Sequence, residues 1–310
     1  MNKNMFLLCL LLSMSLSSAS LLYGQQSTGR QIPEGAVSGL FSVSNTKKVY
    51  FSKGNLQYQA STKTWRFAEK QWDFCGENNS HASQSYNGWI DLFGWGTSGY
   101  PNGAVCYQPW STSENVNDYC VNGLVYSDLT GKADWGYNAI SNGGNAENQW
   151  RTLTKNEWLY LLNRKTPSGI SWTYALVNKV FGLIILPDDW SKKNCFLQTE
   201  GKMPMNKITE EEWMEFLEPH GAVFLPITGL RDGNRAYSFS NPKIDWGFFS
   251  DHIHGAYWSS SYLRQGDGSQ YNRPTDVYSL YFSEEGGMHF TSIGITRATG
   301  RSVRLVRDVQ

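Results

Sequence analysis

The sequence predicts an α+β chain in which two helices pack on small, irregular antiparallel sheets joined by long loops. Three observations lead there. Thr154 with Glu157, and Thr209 with Glu212, set a hydroxyl and a carboxylate three residues apart at the head of an apolar pattern, the capping-box signature of a helix start. Each of these helices leads into an apolar run closed by Leu-Pro, Gly182–Leu186 before Pro187 and Ala222–Leu225 before Pro226. Near the end, Ser302, Arg304 and Val306 alternate with Val303 and Leu305, the period-two pattern of a strand with one buried face.

Taken in order, residues 1–24 read as a signal peptide. Lys3 gives the charged start, Phe6–Leu12 the apolar run, and Ser17–Ala19 or Leu22–Gly24 the small-residue cleavage region. The run is too short to span a bilayer. Cys9 lies inside it behind Leu7-Leu8, which argues against a lipid anchor, and no later segment is apolar enough to be transmembrane. The mature protein is therefore expected beyond the inner membrane: secreted, periplasmic or on the outer surface. Residues 25–36, with Pro33 and Gly35, read as a flexible lead-in, and residues 37–310 as a single domain.

Within that domain, Val49–Tyr58 and Thr64–Phe67 alternate around Ala60–Lys63, predicting an early hairpin. From Cys75 to Asn148 the chain is mostly Gly, Asn, Ser, Asp and aromatics, so long loops with short strands are expected. The first helix, Lys155–Asn163, puts Trp158, Leu161 and Leu162 on one face; the second carries Trp213, Phe216 and Leu217. Ala256-Tyr257-Trp258-Ser259-Ser260-Ser261 suits a strand packed beneath a neighbouring sheet, and the closing strand is expected inside the chain's own sheet.

Charge and aromatic content narrow the function classes. The 27 basic and 27 acidic residues balance, leaving no electrostatic footprint for nucleic acid. Thirteen Trp, 17 Tyr and 15 Phe beside 30 Gly suggest a loop-rich extracytoplasmic domain whose aromatics supply buried area. For Trp65, Trp72, Trp89, Trp95, Trp135, Trp150 and Trp158 the expected place is the core. Cys75, Cys106, Cys120 and Cys195 remain after the leader and allow two disulfides in three connectivities. A local bridge between Cys106 and Cys120 is favoured; the alternative is buried free thiols.

Four blocks carry a family resemblance: Trp150-Arg151-Thr152-Leu153-Thr154-Lys155-Asn156-Glu157-Trp158, Leu225-Pro226-Ile227-Thr228-Gly229-Leu230-Arg231, Tyr257-Trp258-Ser259-Ser260, and Gly300-Arg301-Ser302-Val303-Arg304-Leu305-Val306. In this order they resemble the C-type-lectin-like superfamily that includes the sulfatase-modifying enzymes, nearest to the Fibrobacter succinogenes major paralogous domain of secreted bacterial proteins. Lys48–Tyr58 looks like the opening of the same group, so the resemblance covers roughly residues 37 to 308. It implies a C-type-lectin-like fold.

The chemistry of the enzymatic relatives is not carried over. Formylglycine-generating enzymes hold copper with two cysteines near the C-terminus, and this chain has no cysteine after Cys195. His252 and His254 are a candidate metal pair without an evident third ligand. The Glu-Pro-Asn and Trp-Asn-Asp blocks of calcium-dependent lectins are missing, although Asp188, Asp189 or Asp267 could serve an unrelated calcium site. The adjacent pairs Asp188-Asp189 and Glu284-Glu285 point to opposite faces if extended, so neither easily flanks a glycosidic bond. No nucleophile elbow, phosphate loop or dinucleotide fingerprint occurs. No cofactor is expected.

Binding is the reading that remains. Tyr262 to Arg273 is a polar loop punctuated by Tyr and Arg, residues that combine flat stacking surface with hydrogen-bonding tips. Tyr262, Arg264, Asp267, Tyr271 and Arg273, with His289 on the following hairpin, are the candidate ligand-binding residues, and no catalytic residue is assigned. The expected function is a non-catalytic module recognising a glycan or a protein at the bacterial surface, for instance in adhesion. A divergent sulfatase-modifying enzyme and a structural subunit of a surface appendage are the alternatives.

Overall fold

The alternation read at the start of the domain belongs to two different sheets. The computed structural model describes residues 31–100, 107–119, 127–194, 197–198, 206–237, 254–263, 277–283, 288–291 and 296–310. Ile32–Gln310 form one compact unit. Strand β1 (Phe41–Ser42) pairs with β2 (Lys48–Phe51), whereas β3 (Leu56–Gln59) forms the expected hairpin with β4 (Thr64–Phe67), Leu56 opposite Phe67. The break falls at Gly54, where a Cβ would lie 2.3 Å from the Ala68 carbonyl oxygen, so only glycine allows this crossing of backbones. A third short strand, β5 (Trp89–Ile90), adds to β3. The described residues that follow are loops and turns with three short 3₁₀ segments, Val116–Asp118, Gly131–Ala133 and Trp135–Tyr137, until β6 (Arg151–Thr152).

Helix α1 (Lys155–Asn163) starts at the capping box: Thr154 Oγ1 accepts from the Glu157 N–H, and the Glu157 carboxylate accepts from the Thr154 N–H. Trp158, Leu161 and Leu162 are buried beneath it. Strands β7 (Trp172–Val177) and β8 (Val180–Ile185) follow as a hairpin, and β9 (Asn206–Ile208) joins β7 in parallel. Helix α2 (Glu210–Glu212) begins at the second capping box and continues as a π-helical turn, Trp213–Leu217. That turn corrects one expectation. Its wider winding sends Trp213 and Leu217 inward, four residues apart, and leaves Phe216 40% exposed.

Both apolar runs closed by Leu-Pro are strands, and they pair. β10 (Val223–Pro226) lies beside β8, giving the sheet order β10-β8-β7-β9. Strands β11 (Leu230–Asp232) and β12 (Arg235–Tyr237) form a small hairpin. β13 (His254–Tyr262), β14 (Val277–Ser283) and β15 (Met288–Thr291) make a three-stranded antiparallel sheet. The last strand, β16 (Leu305–Asp308), inserts between β2 and β6 in the order β1-β2-β16-β6.

The approach to β16 acts as a spine. Gly300 bridges Arg231, Arg301 bridges Phe93 and Ser302 bridges Tyr257, while the Leu56 N–H donates to the Val303 carbonyl. A strand with one buried face was expected here, but Ser302, Val303, Arg304, Leu305 and Val306 are all buried. The reason is that two clusters flank it: Val306 packs with Trp158, Tyr257 and Leu280, and Val303 and Leu305 with Trp95, Trp135 and Trp258. A third cluster, around Trp190, Trp213 and Phe224, fills the space under α2.

Arg304 therefore has no route to solvent. Its guanidinium donates to Asn55 Oδ1 and Gln71 Oε1, at 3.3 and 2.8 Å. Asn55 Nδ2 in turn donates to the Tyr257 hydroxyl, which donates to the Pro226 carbonyl. Gln71 is pinned by the Phe224 N–H and the Ala222 carbonyl. Replacing Gln71 by Leu strips the buried cation of its shorter bond and removes the partner of the Phe224 N–H in β10 and of the Ala222 carbonyl just before it. Urea denaturation should show a loss of about 3 kcal/mol; a loss under about 1 kcal/mol would mean that the network contributes little to the fold.

Candidate functional site

A concave site forms where β1, β2, the end of α1 and the turn after β8 converge. Asp188, first residue of the turn behind Pro187, sits at its centre and is fixed by its own N–H donating to the Leu40 carbonyl. Its Oδ1 accepts from the Ser42 N–H at 2.9 Å and from Arg164 Nε at 3.0 Å; its Oδ2 accepts from the Ser42 hydroxyl at 2.7 Å and from Lys48 Nζ at 2.9 Å. Ser42 and Lys48 face each other in the β1–β2 register, so one strand pair supplies three of these donors.

Arg164 terminates α1. Its terminal nitrogens donate to the Leu161 and Leu186 carbonyls, satisfying one of the orphan acceptors of the last helical turn. Tyr160, whose hydroxyl donates to Asn45 Oδ1, stands beside Asn163 and Lys165 at the opening. The seven residues Ser42, Lys48, Tyr160, Asn163, Arg164, Lys165 and Asp188 line an open cleft of about 520 Å³.

Two cations, Lys48 and Arg164, bind this one carboxylate, and Lys165 lines the same cleft. Burial opposes ionisation of Asp188, but the Ser42 N–H, Lys48, the Ser42 hydroxyl and Arg164 together outweigh it and hold the carboxyl below its ordinary range. Burial lowers the Arg164 guanidinium, and Asp188 pulls it partly back. With both oxygens occupied by two donors each, Asp188 is an anchor for the surrounding side chains. The neighbouring Asp189, in the same turn, is exposed.

The sequence-predicted residues fall elsewhere. Tyr262 ends β13; its N–H donates to Asp128 Oδ1 at 3.0 Å, and its half-buried side chain packs against the second aromatic cluster. His289 lies in β15 opposite Tyr281. Arg264, Asp267, Tyr271, Arg273, Cys106, Cys120, Cys195 and His252 lie outside the described residues. Cys75 is a free thiol, pushed well above its usual range by burial and by the adjacent Asp91, whose carboxylate accepts from the Cys75 N–H.

Six of the seven tryptophans assigned to the core are buried, and Trp89 is not. It is half-buried on the outer side of the β4-β3-β5 sheet, with the Arg66 guanidinium 3.8 Å from its ring centre and Arg66 Nε donating to Gln57. Among the described residues there is no cluster of three or more potential metal-ligating side chains, and no helix is long and apolar enough to cross a membrane.

No protein-family model, curated protein or solved structure matches this chain.

The depressed Asp188 carboxyl makes the cleft's contribution to stability depend on pH. A lowered folded value means that stability is fully present above the ordinary carboxylate value of about 4 and is lost as pH falls through the folded value. Urea denaturation of wild type and Asp188→Asn should differ most at pH 7, with the gap closing below about pH 4. A gap of constant size down to the acid limit would show that the carboxylate's charge is not what matters.

Proposed function

We propose that this chain is a secreted, non-catalytic binding module with a C-type-lectin-like fold, recognising a glycan or a protein ligand at the bacterial surface or in the periplasm. The observation that carries the reading is the polar cleft around Asp188. Its carboxylate already accepts from four donors, which leaves little basicity for proton transfer and makes it a fixed post between Lys48 and Arg164. Lys48, Lys165, Tyr160 and Asn163 stand around it with hydrogen-bonding groups near solvent. Convergent polar side chains held on a rigid frame suit recognition of a hydroxyl-rich or charged ligand without reorganisation.

Two further surfaces fit the same reading. The loop after Tyr262, with Arg264, Asp267, Tyr271 and Arg273, offers stacking and hydrogen-bonding side chains. The Arg66–Trp89 stack adds an aromatic patch on another sheet.

Binding of the mature chain, residues 25–310, to a broad glycan array should be selective and unchanged by chelator. Substituting Lys48→Ala and Lys165→Glu together should weaken it roughly tenfold. If Tyr271→Ala abolishes binding and the lysine pair leaves it intact, the ligand sits on the loop and the cleft assignment is wrong. No binding in any condition would sink the glycan reading and direct the search to a protein partner.

A further inference from the structure

Among the described residues four arginines are buried, and one of them is unlike the rest. Arg231 donates to the carbonyls of Leu92, Gly233 and Ser111; Arg304 donates to Asn55 and Gln71; Arg297 donates to the Tyr119 carbonyl. Arg301 is only 7% exposed, yet among the described residues its guanidinium has no hydrogen-bond acceptor at all; its Nε is sealed from water, as that of Arg304 is, but Arg304 has two acceptors at its terminal nitrogens. What it has is the Trp258 ring, 5.3 Å from Cζ. Attraction to an aromatic face is worth less than the cost of desolvating an unpaired cation.

A second orphan lies on the sheet that Arg301 covers. Ser279 is paired with Trp258 across β13 and β14, so it shares the sheet face on which Arg301 rests, and its buried hydroxyl also has no partner. Burial lowers the Arg301 guanidinium to about 10, with Tyr281 pulling the other way, so the side chain remains a full cation at neutral pH. Arg301 keeps 7% of its surface exposed, which gives a small ion a line of approach.

We propose that Arg301 is the receptor of an anion site separate from the Asp188 cleft, taking one oxyanion group along the guanidinium edge with the Ser279 hydroxyl as an additional donor. The group is a carboxylate, sulfate or phosphate. It completes the donor set that the fold leaves open, as guanidinium edges do for planar and tetrahedral oxyanions.

The test is a titration of the mature chain, labelled with ¹⁵N-arginine, in which side-chain Nε–H resonances are followed by NMR. Sodium sulfate, sodium acetate and sodium glucuronate are compared with sodium chloride at equal ionic strength. One resonance, missing from Arg301→Lys, should move saturably with the oxyanions while those of Arg231 and Arg304 stay in place. Arg301→Lys should weaken sulfate binding, read by thermal shift, roughly tenfold. If that variant does not fold, Ser279→Ala serves instead; it should fold and weaken the response roughly threefold. Saturation by glucuronate at lower concentration than acetate would assign the site to a ligand's acidic group, and equal saturation to free ions. No movement beyond the chloride control would overturn the proposal, as would a resonance already held in a carboxylate-bonded position by an acidic residue of the chain itself.

Discussion

The guanidinium of Arg304 is the constraint around which the other parts of the fold are arranged. A buried cation is tolerated only where acceptors are held ready for it. Here they come from Asn55 between β2 and β3, and from Gln71 beyond β4, while the same amides hold Tyr257 on β13 and the backbone of β10. Four separate regions of the chain must therefore be in register before the charge is satisfied. A wrong register of β16 would bring Ser302 or Val306 to this point and leave the two amides without their cation. The network acts as a check on topology more than as a source of net stability.

Buried carboxylates in the loop-rich stretch follow the same logic with opposite sign. Asp91 accepts from the Cys75 N–H and from Asn79, whose amide oxygen takes the N–H groups of Asp91 and Leu92. Asp134 accepts from the N–H groups of Gly136 and Thr152 and from the Thr152 hydroxyl. Burial pushes both carboxyls up, and the donated hydrogen bonds pull them back. Each charge stands where regular structure would otherwise satisfy the backbone. That is how irregular chain can run through the interior without orphaned amides.

What the sequence revealed depended on whether the signal was local. Both capping boxes, the β3–β4 hairpin and the two apolar runs closed by Leu-Pro were legible, because each is set by residues within a few positions of one another. Phe216 misled because the π turn shifts helical phase without a marker in the residue pattern. The closing strand misled because alternation of Ser, Arg and Val reports polarity, and here the polar residues are buried as well. Of the cleft only Asp188 stood out, as a candidate calcium ligand and one of an adjacent carboxylate pair. Its partners at positions 42, 48 and 164 come together through β1–β2 pairing and the end of α1, and no spacing announces that. For the loop after Tyr262, sequence remains the basis of the assignment.

The placement of β16 has a consequence for the order of events at synthesis. Asn55 and Arg304 are 249 residues apart, and Asn55 and Tyr257 are 202 apart, so the amide that organises the centre leaves the ribosome long before its partners. Until residues 300–308 arrive, β2 and β6 present unpaired edges, and Asn55 and Gln71 lack the charge they are placed to hold. Closure of such distant contacts is slow, and the half-made sheet is a species that can join with others of its kind. A nascent chain of this protein is thus committed to waiting, and whatever handles it during that interval meets open strands long before it meets a finished domain.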